Sequence, residues 1–153
     1  RAGTALPAPR FTPLTLTHHL AVADLAEALL RHYPGARWIT ERELRRDTLR
    51  HPPRPTSHHS TGHLEGSGHV PDGVLIWHDH HVAVELELTP KGPESYARIL
   101  RWYAAALAYR RVVWFCADPA LLRRLSAILE RERVADFIAV KPLPAGLTLT
   151  TWG

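Results

Sequence analysis

The stretch PDGVLIWHDHHVAVELELTPKG, residues Pro71–Gly92, decides which fold this chain can adopt. It contains two short apolar segments, GVLIW and HVAVELEL, joined by HDHH, and this pattern predicts two strands with a hairpin turn between them. Because side chains alternate across a strand, Glu85 and Glu87 share one face, while the other face, with Val82, Val84, Leu86 and Leu88, suits the core. Asp72 begins the neighbouring strand, and pairing within the hairpin would bring it toward these two carboxylates.

Carboxylates this close repel one another, and either water or a cation must offset the repulsion. Water does so if the strand is half exposed, and alternating Val-Glu-Leu-Glu-Leu is typical of such a strand. A divalent cation does so if the site is functional, because Mg²⁺ prefers oxygen ligands. Such an ion would polarise a phosphodiester and lower the pKa of a bound water. Lys91 is close enough in sequence to reach the same region.

Hydrophobic periodicity along the chain predicts an α/β protein with a mixed sheet flanked by helices, in the order α-β-β-β-α-β-α-β. Residues 1–13 are Pro-rich and predict a linker or arm, followed by one domain over residues 14–153. Residues 51–69 are rich in Pro, His, Ser and Gly and predict a mobile loop. The alternating residues 146–152 predict an edge strand. Because the chain starts at Arg1 and contains no Met, we expect it to be a piece of a longer protein.

Capping residues mark the expected helix ends. Thr17 is the expected N-cap of the first helix, and Gly35 follows its end. Trp38 indicates a short strand that runs into a basic segment. Gly92 precedes a Pro at the start of the second helix, and Asp118 is the expected N-cap of the third.

Composition limits the class of protein. A chain of 153 residues suits one domain with a single core. The formal net charge of +4 and the pI of about 9.7 allow a polyanionic partner. A single cysteine, Cys116, excludes a disulfide within this chain and indicates a reducing compartment, hence a cytoplasmic location. No segment is long and apolar enough to predict a membrane span, and no signal peptide is recognisable.

The expected order of elements, with Pro71 and Asp72 followed by Glu85-Leu86-Glu87, resembles the restriction-endonuclease-like nucleases, whose signature is PD followed by (D/E)-x-K. More closely, the segments WITERELRR, HVPDG, VAVELELTPKGPESYARILRWY and VVWFCA resemble the replication-relaxation family of bacterial plasmid and mobile-element proteins. The resemblance covers roughly residues 16–141.

The resemblance implies a nuclease-like domain that acts on DNA in plasmid or mobile-element replication and transfer. One form of this hypothesis is an endonuclease that depends on Mg²⁺ or Mn²⁺. The alternative is a non-catalytic module on the same fold, which binds DNA or recruits a relaxase or replication protein. A third alternative, a purely structural domain, predicts neither metal binding nor DNA binding.

The resemblance also implies roles for individual residues. Asp72 and Glu85 would be the metal-binding acids, with the Leu86 carbonyl as a further ligand. Glu87 stands where the signature has Lys, which is a departure from the family pattern. Either Glu87 assists the metal or the attacking water, or Lys91 supplies the missing positive charge. The expected catalytic residues are Asp72, Glu85, Glu87 and Lys91, and the expected metal ligands are the three acids among them.

Basic residues flank the acidic residues along the sequence. Such charges are usually solvated, but a basic rim around an acidic centre would neutralise backbone phosphates. The candidate DNA contacts are Arg45, Arg46, His69, Arg98 and Arg101. Glu41 is a further carboxylate for which we expect a solvated position. The many His residues of the loop would suit zinc, but no Cys accompanies them and no known zinc-ligand spacing is present, so a zinc site is disfavoured.

Overall fold

The computed structural model describes residues 12–50, 69–106, 108–145 and 147. Within these ranges, five strands form one sheet, and helices pack on both of its faces. The strands are β1 (Arg37–Thr40), β2 (Gly73–Trp77), β3 (His80–Glu87), β4 (Arg111–Cys116) and β5 (Ile138–Pro142). The helices are α1 (Pro13–His32), α2 (Glu41–Arg50), α3 (Pro93–Ala105) and α4 (Pro119–Glu132). The predicted arm up to residue 11, the loop up to residue 68 and nearly all of the predicted last strand lie outside the described residues.

The sheet is mixed, as the sequence predicts. Its strands lie in the order β1-β2-β3-β4-β5. The pairs β1/β2 and β2/β3 are antiparallel, whereas β3/β4 and β4/β5 are parallel. Helices α3 and α4 make the crossovers between the parallel strands, as parallel pairing requires. The predicted class, an α/β protein with a mixed sheet flanked by helices, is therefore confirmed.

The β2/β3 hairpin lies where the sequence predicts it, but its turn is shorter than HDHH. Gly73 pairs with Val84 at one end of the hairpin and Trp77 pairs with His80 at the other. Only two residues, 78 and 79, form the turn, and both have positive φ angles, 47° and 61°. This is the geometry of a two-residue hairpin turn that follows the right-handed twist of the strands.

Apolar side chains cover both faces of the sheet. On one face, Leu25 and Leu29 of α1 pack on Val84, Leu86 and neighbouring strand residues. This confirms the prediction that Val84 and Leu86 of β3 face the core. On the other face, α3 and α4 pack on a second apolar cluster, whose strand residues include Ala83, Val112 and Trp114. The face of β3 that holds the glutamates is therefore covered by protein, and not by water.

The first helix begins earlier than the sequence analysis predicts. Thr12 is the N-cap, and its side chain forms a reciprocal capping box with Thr15. Thr17 lies inside α1 and donates its hydroxyl to the carbonyl of Pro13 at 3.0 Å. The Pro at the first helical position favours the earlier start, because its fixed φ suits a helix and its missing N–H has no helical partner to lose.

The other predicted helix ends agree with the structure, with one helix added. Gly92 is the N-cap of α3, and the Asp118 side chain caps α4 by accepting from the Ala120 N–H at 2.8 Å. The basic segment after β1 forms α2, so the observed order is α-β-α-β-β-α-β-α-β. Thr40 and Glu43 make reciprocal capping contacts at its start. Among the described helices, none has the length and apolar character needed to cross a bilayer.

Candidate functional site

Strand β2 starts and strand β3 finishes at the same end of the sheet, because the two are antiparallel. Parallel β4 and β5 also finish there, and we call this end, defined by Asp72, Glu87, Cys116 and Pro142, the carboxyl end of the sheet. Gly73 pairs with Val84, so the next residue outward on each strand places Asp72 beside Glu85. This adjacency is the one that the hairpin pattern predicts.

The Asp72 carboxylate is fixed by two hydrogen bonds. Its Oδ2 accepts from the backbone N–H of Leu86 at 2.8 Å, which ties the start of β2 to β3. Its Oδ1 lies 2.9 Å from Nε2 of His18, a residue of α1. The hydrogen bond to Asp72 raises the pKa of His18 above its usual value, and burial opposes that rise only in part. Asp72 therefore sits in a fixed orientation beside a histidine that holds a proton more tightly than usual.

Glu85 is buried, with 6% of its surface exposed, and two side chains satisfy its carboxylate. Nε2 of His69 lies 2.5 Å from Oε1, and the Tyr103 hydroxyl donates to the same oxygen. Burial raises the pKa of Glu85, the hydrogen bond with His69 lowers it, and the nearby charge of Asp72 raises it further. Burial and the charge of Glu85 also raise the pKa of Tyr103, so its phenol remains a hydrogen-bond donor.

Glu87 is buried as well, with 3% of its surface exposed, and it pairs with Lys91. The Lys91 Nζ lies 2.5 Å from Oε2 of Glu87, while the Lys91 backbone N–H donates to the Tyr96 hydroxyl at 2.8 Å. Tyr96 and Tyr103 lie two turns apart on α3 and face Glu87 and Glu85 respectively. Helix α3 thus provides one tyrosine beside each buried glutamate.

The structure brings together some of the predicted site residues and leaves others apart. The four expected catalytic residues gather at the carboxyl end of the sheet, joined by His69 through its contact with Glu85. Arg45 instead donates to Glu41 within α2, so these two form a local ion pair. The remaining candidate DNA contacts are exposed; they are Arg46, Arg98 and Arg101.

His18 is a site residue that the sequence analysis missed. It lies 54 positions before Asp72 in the chain, and helical periodicity marks it only as a polar position on α1. No spacing rule links a helix residue to a strand residue at that separation. The packing of α1 against β3 brings it to the site.

The carboxylate oxygens of Asp72 and Glu85 are of the kind that a hard cation prefers. Their present hydrogen bonds would compete with such a cation. Within the described ranges, no group of three or more His, Cys, Asp or Glu residues is arranged to hold a metal ion. Mg²⁺ needs fewer protein ligands than that, because it binds through one or two carboxylates and keeps several waters. Both oxygens of Asp72 and Oε1 of Glu85 already accept hydrogen bonds. A cation would have to replace or share the contacts of His18 and His69.

Comparison with known proteins adds no relative: no protein-family model, no curated protein and no solved structure matches this chain. What the structure itself defines is an α/β protein with a five-stranded mixed sheet. At one end of that sheet, two carboxylates each contact a histidine.

Proposed function

We propose that this chain is a nuclease-like domain of the restriction-endonuclease-like class, related to replication-relaxation proteins, that cleaves DNA with the help of Mg²⁺ or Mn²⁺. The proposal rests on one observation: Asp72 is fixed against the backbone of Leu86, directly beside buried Glu85. A carboxylate at the start of one strand and a second near the end of its antiparallel neighbour is the arrangement that the nuclease signature implies. The basic charge of the chain supports a nucleic acid as the substrate.

In this mechanism Asp72 and Glu85 would hold the metal ion, with the Leu86 carbonyl as the further ligand that the family resemblance implies. The ion would polarise the phosphodiester and provide a nucleophilic water at neutral pH. The chain's own groups orient these acids: the Leu86 backbone N–H donates to Asp72, and the Tyr103 hydroxyl donates to Glu85. A carboxylate that is held by fixed donors loses less entropy when it binds a cation.

Glu87 and Lys91 would act together in place of the signature lysine. Their ion pair joins the strand end to the segment that leads into α3, and Lys91 is 46% exposed while Glu87 is almost fully buried. Glu87 would therefore position Lys91, and the Lys91 ammonium would stabilise the charge on the phosphate. On this view Glu87 is a positioning residue and not a third metal ligand.

A non-catalytic module is the second candidate, and a specific observation favours it. Each acid at the carboxyl end already has a partner from within the chain: His18, His69 with Tyr103, and Lys91. Charges balanced in this way are typical of structural groups as well as of catalytic ones. In this version the domain binds DNA, or recruits a relaxase or replication protein, without cleaving a strand.

A plasmid-nicking assay separates the two candidates. Wild type, Glu85→Gln and Asp72→Asn would be incubated with supercoiled plasmid and Mn²⁺ or Mg²⁺. We expect wild type to nick the plasmid and both variants to be at least about 100-fold slower, because each loses a charge that stabilises the reacting groups. Asp79→Asn is the matched control, since Asp79 is an exposed carboxylate in the hairpin turn.

Metal binding provides a readout that does not depend on cleavage. Titration calorimetry with Mn²⁺ should show binding to wild type and to Asp79→Asn, with clear weakening in Asp72→Asn. Equal Mn²⁺ binding by all three proteins would contradict a metal site at Asp72. No nicking by wild type, together with unchanged DNA gel shifts in Glu85→Gln, would favour the non-catalytic module.

A further inference from the structure

A cavity of about 340 Å³ lies at the carboxyl end of the sheet, on the side away from Asp72 and Glu85. The ends of β4 and β5 form one side of it, with Cys116 and Pro142. The segment that leads into α4 and its first turns form the other side. The residues on that second side are Ala117, Pro119, Leu122 and Arg123.

The cavity adjoins the candidate site directly. Cys116 pairs with Glu87 in the β3/β4 register, and the Ala117 N–H donates to the Glu87 carbonyl at 3.5 Å. Adjacent strands lie about 4.8 Å apart, so the cavity begins one strand away from the Glu87–Lys91 pair. Burial raises the pKa of the Cys116 thiol to about 11, and the charge of Glu87 adds to that rise. The thiol therefore stays neutral and forms part of an apolar wall.

The chemistry of the cavity suits one nucleotide. Apolar side chains form most of its wall, and apolar side chains can pack on the faces of nucleobases. Arg123 is the exception: it is exposed, and within the described part of the chain its guanidinium forms no hydrogen bond or ion pair. A guanidinium binds phosphate through paired hydrogen bonds. The volume is at the low end for small-ligand sites, which fits a single nucleotide and not a stretch of helix.

We propose that this cavity, which we call the nucleotide cavity, holds one unpaired nucleotide of the DNA strand that lies on Asp72 and Glu85. The base would lie against Pro119 and Leu122, and its phosphate would bind Arg123. This inference rests on the proposed function and adds the substrate class. A base that enters the cavity cannot be paired, so the preferred substrate is single-stranded DNA, or an unpaired end or flap, and not intact duplex.

Fluorescence anisotropy with a labelled single-stranded oligonucleotide tests the inference without metal or cleavage. Arg123→Gln should weaken single-strand binding about tenfold, the loss expected for a hydrogen-bonded charged contact. Arg124→Gln is the matched control, because Arg124 is the next residue of α4, is exposed and does not line the cavity. We expect less than a twofold change there, and weaker binding of a blunt duplex of equal length by wild type.

Filling the cavity tests the base contact separately from the charge. Ala117 is exposed, so Ala117→Phe should fold, place its ring over the cavity mouth and weaken single-strand binding by a similar factor. In wild type, a 4-thiothymidine oligonucleotide should crosslink to the segment 117–123. Crosslinks found only elsewhere would overturn the proposal.

The result distinguishes a failure of this inference from a failure of the proposed function. Equal losses in Arg123→Gln and Arg124→Gln, or a preference for duplex, would overturn the nucleotide cavity even if metal-dependent nicking is observed. Arg123-dependent binding of single-stranded DNA without any nicking would support the cavity while overturning catalysis.

Discussion

At the scale of single residues, the two buried glutamates of β3 depend on side chains from outside the strand. Glu85 contacts His69 and Tyr103, and Glu87 contacts Lys91. The alternating sequence indicates correctly that both glutamates share one face, because strand geometry alone fixes that. It does not indicate what covers that face. The sequence analysis considered only water or a cation beside the glutamates, whereas the structure places a helix there. Helix α3 covers the face, with a tyrosine beside each acid.

The burial of Glu85 should make the stability of the protein depend on pH. Its folded pKa is raised, so the folded state holds this proton more tightly than the unfolded chain does. Its contribution is therefore fully present below the unfolded pKa of about 4.3 and is lost as the pH rises through the folded pKa. Asp72, His69 and Tyr103 face this carboxyl. We expect Glu85→Gln to gain stability relative to wild type as the pH rises.

Urea denaturation at about pH 5 and pH 8 would measure this difference. Glu130→Gln, a change of an exposed carboxyl on α4, should follow wild type at both values. A difference between Glu85→Gln and wild type that does not change with pH would contradict the burial argument.

His18 should produce a pH dependence of its own. The hydrogen bond with Asp72 raises its pKa, the charge of Glu87 adds to the rise, and burial and Lys91 oppose it. The stabilisation is fully present below the unfolded pKa of about 6.5 and is lost as the pH rises through the folded value. We expect His18→Gln to be less stable than wild type near pH 6, with the gap closing toward pH 9.

Thermal unfolding of both proteins across that range would measure the gap. His80→Gln, which changes an exposed histidine at the start of β3, is the control and should show no comparable gap. A destabilisation of His18→Gln that is the same at every pH would indicate lost packing and not a lost charge interaction.

At the scale of secondary-structure elements, local signals predicted most boundaries. The exceptions are the start of α1, which is Thr12 and not Thr17, and helix α2, which was not predicted. Glycine and proline marked the start of α3, and Asp118 marked that of α4. Helix α2 was missed because seven of its ten residues are charged and only Leu44 and Leu49 are apolar. The signal that would have found it is Thr40-x-x-Glu43, a capping-box spacing whose contacts are present in the structure.

The close packing of β1 on β2 makes Gly73 sensitive to substitution. A Cβ at this position would lie 1.9 Å from Cζ2 of Trp38, on the neighbouring strand. We expect Gly73→Ala to lower the free energy of unfolding by about 1–3 kcal/mol, because the indole ring must shift within the packed strands. Asp72 is the preceding residue, so the same change should also disturb its contact with His18.

Chemical denaturation with Gly92→Ala as control would test this expectation. Gly92 is the N-cap of α3, and a Cβ there meets no atom within 4 Å. We expect that change to cost only about 0.5 kcal/mol, from the weaker cap. Equal losses in the two variants would show that the contact with Trp38 is not the cause.

At the scale of the whole molecule, helices cover both faces of the sheet, so within the described ranges the buried acids are approached from the carboxyl end. The fold class was predictable because the hairpin makes β2/β3 antiparallel and the crossover helices make β3/β4 and β4/β5 parallel. The composition of the site was only partly predictable. Neighbours in the hairpin are visible in the sequence, whereas His18 and Tyr103 reach the site through tertiary packing.

The proposed binding to DNA should depend strongly on salt, because the exposed Arg46, Arg98 and Arg101 would neutralise phosphates. For single strands, log K is expected to fall against log salt concentration by about 0.7 per neutralised phosphate. Arg101 is exposed on α3, so Arg101→Gln should reduce the slope by about that amount if it contacts a phosphate. Arg131→Gln is the control, because Arg131 already pairs with Glu132. Identical slopes in wild type and Arg101→Gln would exclude this contact.

The hairpin turn at residues 78 and 79 has a practical consequence for such measurements. It lies at the end of β2 and β3 that is opposite Asp72, and His80 beside it is exposed. The one cysteine of the chain, Cys116, is buried. A His80→Cys variant would therefore offer a single reactive thiol for a dye or a surface tether. Immobilised in that way, the molecule would present its carboxyl end outward, and attachment would leave the proposed DNA site open.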